Sequence, residues 1–136
     1  MFETLDPERW VPHGYALVRI DSRGSGCSEG FLDPFSARQI RDIYLCIEWV
    51  AAQAWSNGSV GMAGTSYHAI TQWLVAALRP PHLKALVPAQ ALCDVYRDLT
   101  YHGGILSAQL RGWFEGQVVT VQHGNGEHAL SNPSDR

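Results

Sequence analysis

The chain has 136 residues, of which 46% are hydrophobic and 17% are charged, and its formal net charge is −3. This balance is typical of one globular domain or part of one, without the basic excess of a nucleic-acid-binding protein. No apolar run approaches the roughly 18 residues of a membrane span, and the N-terminal residues lack the apolar core of a signal peptide. We therefore expect a cytoplasmic protein that binds neither nucleic acid nor membranes.

The first half of the chain predicts a strand, a glycine-rich loop and a helix. Residues 15–20 are mostly apolar on both faces, as a strand inside a parallel sheet requires. After the loop of residues 23–30, apolar residues recur at helical spacing from about residue 36 to residue 54. Asp33 or Ser36 could cap this helix.

The middle of the chain predicts two further strands with a helix between them. Residues 59–63 and 83–88 are short apolar runs, and residues 67–79 predict a buried helix that ends at two prolines. The order β-α-β-α-β predicts a parallel sheet with right-handed crossovers, which is an α/β fold.

Beyond Pro88 the periodicity is weaker. Residues 94–101 and 105–114 predict helices, and residues 117–121 have strand propensity without an obvious partner. The polar tail from His123 is expected to fray. We divide the chain into a domain over residues 1–115 and a tail over residues 116–136.

The three cysteines, Cys27, Cys46 and Cys93, are widely spaced along the chain. An odd number at such spacing is typical of neither a disulfide framework nor a zinc site. Cys46 falls on an apolar helical face, where a small core residue is expected. The sequence predicts no metal and no cofactor.

A serine lies where the second predicted strand meets the second long helix, in the run Gly64-Thr65-Ser66-Tyr67-His68-Ala69. α/β-Hydrolases present their nucleophile at such a strand–turn–helix elbow. The tight turn leaves no room for a side chain two residues before Ser66, and Gly64 meets that need. His68 stands where the common G-x-S-x-G motif has its second glycine. The backbone N–H of Tyr67, at the helix N-terminus, is placed to stabilise an oxyanion. The alternative is that Ser66 only caps the helix.

A serine nucleophile needs a base and an acid that orients the base, and in this fold both follow the serine. The candidate acids are Asp94, Asp98, Glu115, Glu127 and Asp135, and the candidate bases are His68, His82, His102, His123 and His128. We expect His68 to face away from Ser66, His82 to lie at the far end of its strand, and Asp94 to cap a helix. No acid–base pair is identifiable from these residues.

The glycine-rich loop allows a different function. Gly24-Ser25-Gly26 follows a predicted strand and precedes a helix, as a phosphate-binding loop does. The spacing is not G-x-G-x-x-G, and no G-K-[ST] motif is present. A nucleotide-binding module is therefore the weaker alternative to a hydrolase.

The other alternative is a non-catalytic interaction protein on the same scaffold. Such a protein could bind a partner or self-associate through open sheet edges.

Several motifs occur in a recognisable order over about residues 6–115. They are the runs His13 to Gly24, Ser28 to Gly30, Ile47 to Trp49, Gln53 to Gly58, Val60 to Met62, Gly64 to Tyr67, Thr71 to Trp73, Leu83 to Pro88, Asp94 to Arg97 and Tyr101 to Gly104. Together they resemble the cocaine esterase and Xaa-Pro dipeptidyl-peptidase-like (CocE/NonD) family of α/β-hydrolases.

The resemblance implies a partial, three-layer α/β-hydrolase fold whose C-terminal helical segment would begin a cap. It implies hydrolysis of ester or amide bonds through an acyl-enzyme, on a small-molecule ester or a peptide. Ser66 matches the nucleophile, and Tyr67 matches the residue whose backbone N–H lines the oxyanion hole.

Family members are several times longer than this chain. They carry an oxyanion-hole tyrosine upstream and the cap, triad aspartate and triad histidine downstream, and none of these is matched here. We therefore expect an inactive fragment that lacks both ends of the catalytic domain. The choice between ester and Xaa-Pro peptide, and the roles of His68, His102 and the tail, stay open.

Overall fold

The structure is a computed structural model that describes residues 3–123. These residues divide into two compact units, one built from residues 3–19 and 40–93 and the other from residues 20–39 and 94–123. The first unit carries a parallel sheet and the serine turn. The second carries the glycine-rich loop and a C-terminal helical segment.

Helices and strands are distributed along the whole of residues 3–123. The α-helices are α1 (Pro7–Trp10), α2 (Ala37–Ala51), α3 (Tyr67–Ala76), α4 (Ala108–Trp113) and α5 (Thr120–His123). The strands are β1 (Val60–Thr65), β2 (Leu83–Ala89), β3 (Tyr101–His102) and β4 (Ile105–Leu106). A 3-10 turn covers Val11–His13, and π-helical turns cover Val95–Thr100 and Phe114–Val119. Within residues 3–123, no helix combines the length and the apolar character needed to cross a membrane.

The sheet of the first unit is built from β1 and β2, which run parallel and are connected through α3. Val60 lies opposite Leu83 and Thr65 lies opposite Ala89, with a register shift after Val60. This β-α-β unit confirms the predicted α/β class, as a short parallel sheet with helices. The parallel arrangement places the end of β1, where α3 begins, at the carboxyl edge of the sheet.

The core of the first unit is a cluster of aliphatic side chains from its two long helices and its sheet. Its buried members are Ile40, Ile47 and Val75, and the partly buried side chains around them are Ile43, Tyr44, Val60, Met62, Leu74 and Leu83. The α2 residues in this cluster follow the predicted apolar stripe. Burial of that stripe, more than intrinsic helix propensity, stabilises a helix of this length.

Ser36 caps α2. Its hydroxyl accepts a hydrogen bond from the N–H of Gln39 at 3.1 Å, and the Gln39 side chain in turn accepts one from the N–H of Phe35 at 2.8 Å. The two bonds resemble a capping box, except that the Gln39 side chain accepts from Phe35, the residue before the cap, and the N–H of Ser36 donates to the carbonyl of Asp33. Of the two predicted caps, Ser36 is therefore the one used, while Asp33 contributes its backbone carbonyl to the preceding turn.

The predicted strand over residues 15–20 is wrong, because this segment has no regular secondary structure. Its apolar side chains are largely exposed, with Tyr15 at 56% and Ile20 at 51%. A strand exists only through a hydrogen-bonded ladder with a neighbour, and within residues 3–123 no strand pairs with this segment. The apolar composition of residues 15–20 was therefore not sufficient to predict a strand.

The strand propensity of residues 117–121 is also misleading, since this segment is helical. Helical backbone runs from Ala108 to His123, and the hydroxyl of Thr120 bonds the carbonyl of Gly116 one turn earlier at 2.6 Å. Helical hydrogen bonds are local, so the backbone is satisfied without a partner strand.

The predicted helix over residues 105–114 begins only at Ala108, since Ile105–Leu106 pairs with Tyr101–His102 in a hairpin. The tail beyond residue 123 lies outside the described residues, and the domain boundary at 115 stays a prediction.

Cys46 should react more slowly with alkylating reagents than the other two cysteines. Burial raises the pKa of its thiol, and the nearby negative charge of Asp42 raises it further. The thiolate is the reactive form, so a raised pKa leaves less of it at neutral pH, whereas Cys27 and Cys93 are exposed. Mass spectrometry after a short iodoacetamide pulse at pH 7.5 should find Cys46 several-fold less modified. Equal rates for all three cysteines in the native protein would contradict this, and the guanidinium-unfolded chain is the control.

Candidate functional site

Ser66 forms the turn between β1 and α3 with an unusual backbone conformation. Its φ is 57° and its ψ is −117°, a region that residues with a side chain rarely occupy. Its N–H donates to the carbonyl of Ala89 at 3.0 Å, and its own carbonyl accepts from the N–H groups of Ala69 and Ile70 at 2.9 Å. Such strain persists only where surrounding structure holds it, and it is concentrated at functional sites.

The side chain of Ser66 is exposed and makes no capping hydrogen bond to α3. Ser66 occupies the N-cap position of α3, and its backbone carbonyl rather than its hydroxyl takes part in the cap, so a side-chain cap does not account for a serine here. Among residues 3–123 its hydroxyl has no hydrogen-bond partner. The turn thus presents a hydroxyl on a strained backbone at the carboxyl edge of the sheet.

The turn brings the residues on either side of Ser66 into close approach. A Cβ placed on Gly64 would lie 2.5 Å from the Cβ of His68 and 3.3 Å from the carbonyl oxygen of Glu3. The first distance is shorter than real Cβ contacts allow, which confirms the predicted need for glycine at position 64. It also explains why a histidine is tolerated at position 68, because Gly64 has no side chain and leaves space for that of His68.

Tyr67 is the first residue of α3, a helix of ten residues. Backbone N–H groups at a helix N-terminus carry partial positive charge, because the peptide dipoles add along the axis. The Tyr67 ring packs edge-on against the imidazole of His68, with ring centres 5.8 Å apart. The contribution of the Tyr67 N–H to an oxyanion hole stays a prediction.

His82 lies at the opposite end of the sheet from Ser66, as predicted. Its carbonyl accepts from the N–H of Val60, the first residue of β1, while Ser66 follows the last. Six strand residues separate the two ends by about 20 Å. The His82 ring pairs with the carboxylate of Glu48 on α2, Nδ1 to Oε2, at 2.7 Å. This imidazole therefore ties α2 to the loop before β2.

Asp94 caps the π-helical turn that follows it, also as predicted. Its carboxylate accepts from the N–H of Arg97 and pairs with the Arg97 guanidinium, both at 2.9 Å. The hydrogen bond from the Arg97 backbone, more than the charge of its side chain, lowers the pKa of this carboxyl. Asp94 thus has a structural role within the second unit.

The other candidate acids and bases within the described residues also have local partners or stand exposed. The ring of His102 bonds the carbonyl of Asp98, Glu115 pairs with Arg111 at 2.9 Å, and His68 is exposed. The side chain of His123 and all of Glu127, His128 and Asp135 lie outside the described part. Within residues 3–123, no group of three His, Cys, Asp or Glu side chains is arranged to hold a metal ion.

The glycine-rich loop is organised around its own carboxylate. The Asp21 side chain accepts from the N–H of Cys27 at 3.2 Å, and its carbonyl accepts from the hydroxyl of Ser28 at 2.9 Å. The Ser25 hydroxyl likewise bonds the carbonyl of Ser22 at 2.7 Å. A carboxylate in this loop repels a phosphate, so the geometry does not favour the nucleotide-binding alternative.

Gln72 is a buried polar residue beside the serine turn that the sequence analysis did not single out as a site residue. It is fully buried in α3, and its side chain connects the carbonyl of His68, at 2.9 Å, to the N–H of Val87 on β2, at 3.1 Å. The available signal was a long polar amide in a mostly apolar helix. Its partner on β2 is 15 residues away, which no local pattern reveals.

Comparisons of this chain with a family model, with curated proteins and with solved structures all match hydrolases. The family described as X-Pro dipeptidyl-peptidase (S15 family) matches residues 2–133. The cocaine esterase of Rhodococcus sp. is 42% identical over 106 residues, which are 76% of this chain and 18% of that protein. The crystal structure of a CocE/NonD family hydrolase from Staphylococcus aureus is 49% identical, with a TM-score of 0.81 over 85% of this chain and 21% of that chain. The chain thus spans about a fifth of the length of these relatives.

Proposed function

The chain belongs to the X-Pro dipeptidyl-peptidase (S15) family, and we propose that Ser66 is the nucleophile with which a hydrolase of this family attacks ester or amide bonds. The observation that carries the proposal is the serine turn. It combines a strained backbone, an exposed hydroxyl without a hydrogen-bond partner among residues 3–123, and a helix N-terminus in the next residue. These are the features of a nucleophile elbow.

In the proposed reaction, the Ser66 oxygen attacks the carbonyl carbon while a base takes its proton. The tetrahedral oxyanion accepts a hydrogen bond from the N–H of Tyr67, at the positive end of α3. When the bond to the leaving alcohol or amine breaks, that group takes the proton and an acyl-Ser66 ester remains. Water then attacks the ester carbonyl, the bond to the Ser66 oxygen breaks, and the carboxylic acid leaves while the serine hydroxyl is restored.

The acid and base of the triad are proposed to lie outside residues 3–123. His82 is held at the far end of the sheet by Glu48, and the carboxylate of Asp94 is held by Arg97. A serine hydroxyl without a base is a weak nucleophile at neutral pH. We propose that no residue of the 136-residue chain serves Ser66 as a base, and we expect this chain by itself to be inactive.

The substrate is proposed to be a small-molecule ester or a peptide. The family description refers to X-Pro dipeptides, and one relative is named a cocaine esterase. Both reactions proceed by acyl transfer to serine, and the elbow serves either one. The choice depends on the pocket around the acyl group, which the residues of the turn do not form alone.

Labelling with a fluorophosphonate tests this proposal. A chimera is made in which residues 6–115 of this chain replace the matching segment of the Staphylococcus aureus hydrolase. The chimera should be labelled at Ser66, and the 136-residue chain alone should be labelled no faster than its Ser66→Ala variant. Ser59→Ala removes an exposed serine just before β1 and is the matched control.

Two results would contradict the proposal in different ways. Undiminished labelling of the Ser66→Ala chimera would place the nucleophile elsewhere. Rapid labelling of the isolated chain at Ser66 would mean that the chain supplies its own base.

A further inference from the structure

Gln72 is the largest polar side chain of the first unit that is completely buried. Burying an amide costs free energy unless its donors and acceptor find partners. An apolar residue at this position of α3 would avoid that cost. The Gln72 amide is therefore expected to have a role beyond filling space in the core of the first unit.

The hydrogen bonds of Gln72 connect the two elements on either side of the serine turn, α3 and β2. Its Nε2 donates to the carbonyl of His68, two residues after Ser66, and its Oε1 accepts from the N–H of Val87. Two residues further along β2, the carbonyl of Ala89 accepts the N–H of Ser66. One amide thus joins the first turn of the helix to the strand that holds the serine backbone.

We propose that Gln72 is the positioning residue of the serine elbow, which holds the first turn of α3 against β2 and so keeps Ser66 in its strained conformation. Gln72 acts through the backbone of the elbow and does not contact the reacting atoms. The expected effect of Gln72 on catalysis rests on the proposed function, in which Ser66 is the nucleophile. The expected effect of Gln72 on the backbone of Ser66 is independent of that function.

Amide hydrogen exchange of the 136-residue chain, followed by NMR, tests the geometry. Gln72→Met keeps the length of the side chain and removes both hydrogen bonds. Exchange at Ser66, Ala69 and Ile70 should rise about tenfold more than exchange at Val75, at the other end of the helix. A uniform rise along α3 would indicate only a loss of general stability, and unchanged exchange at Ser66 would exclude a link to the elbow; either result overturns the proposal.

Two further variants keep the test decisive. Gln53→Met removes an exposed side-chain bond to the carbonyl of Trp49 and should leave exchange at Ser66 unchanged. Gln72→Asn is used if Gln72→Met does not fold, because it keeps an uncharged amide that is one methylene too short to reach both partners. Ser66, Ala69 and Ile70 should then lose more protection than Val75, and either a uniform loss along α3 or retained protection at these three residues overturns the proposal.

Kinetics of the hydrolase chimera test the catalytic consequence. A misplacement of about 1 Å can cost on the order of 100-fold in rate, so Gln72→Met should lower kcat by about 10- to 100-fold with KM little changed. A chimera that is labelled at Ser66 but keeps its kcat in Gln72→Met would overturn the positioning role. A chimera with Gln72 intact that is not labelled at Ser66 would instead overturn the proposed function, and the exchange experiment would still decide the geometry.

Discussion

Ser66→Ala should lower kcat of the hydrolase chimera by about a million-fold, the loss seen when a serine triad is deprived of its nucleophile. The reason is that no acyl-enzyme can form without the serine oxygen. KM should change little, because the missing hydroxyl contributes mainly to the transition state. The measurement is steady-state hydrolysis of p-nitrophenyl acetate and of an Ala-Pro p-nitroanilide by the same preparations.

Controls separate the loss of the nucleophile from the loss of structure. The Ser59→Ala chimera should keep its full activity, since Ser59 lies before β1, at the end of the strand away from the elbow. The Ser66→Ala chimera should keep the melting temperature of its parent or exceed it, since no hydrogen bond of the hydroxyl is lost among residues 3–123. Residual activity above about one per cent would be far more than a triad enzyme retains, and Ser66 would then not be the nucleophile.

Gly64→Ala should destabilise the 136-residue chain by about 1–3 kcal/mol, as other substitutions that overpack a close contact do. The added Cβ would meet the Cβ of His68 at 2.5 Å. That atom is fixed to the backbone of α3, so the turn itself must shift. Urea unfolding followed by circular dichroism measures the change in the free energy of unfolding.

The same strand provides a matched control. Gly61→Ala places a Cβ 3.8 Å from Ala85, which is an ordinary contact, so its effect should stay within about 0.5 kcal/mol. His68→Gly should restore part of the stability lost in Gly64→Ala, because it removes the Cβ at 2.5 Å while the Glu3 carbonyl oxygen at 3.3 Å remains. A double-mutant cycle that finds no coupling between the two positions would show that the close approach does not determine the need for glycine.

The sequence predicted the segments whose structure depends on local periodicity. The apolar stripe of α2 (residues 37–51), the buried α3 and the apolar runs of β1 and β2 all formed near the predicted residues. Spacing of this kind describes which face of one helix or strand is apolar, and a single segment contains that information. The serine turn was predictable for the same reason, since strand, glycine, serine and helix follow one another directly.

Strand propensity was misleading in two segments, because a strand needs a partner elsewhere in the chain and composition does not show whether one is present. Residues 15–20 have the composition of a buried strand but no partner strand among residues 3–123, and residues 117–121 have β-branched residues but continue a helix. A strand needs a neighbour to satisfy its backbone, whereas a helix satisfies its own. Propensity therefore describes what a segment could form, and the available partners decide what it does form.

The sequence alone determined the family, the α/β class and the position of Ser66, because each depends on residues that are adjacent or regularly spaced. Only the tertiary structure showed the backbone angles of Ser66, the close approach of Gly64 to His68, and the buried amide of Gln72 that joins α3 to β2. These features depend on how a strand, a turn and a helix meet in space. Hydrogen bonds and steric contacts between separate elements carry no local periodic signal, and so they become visible only in the folded chain.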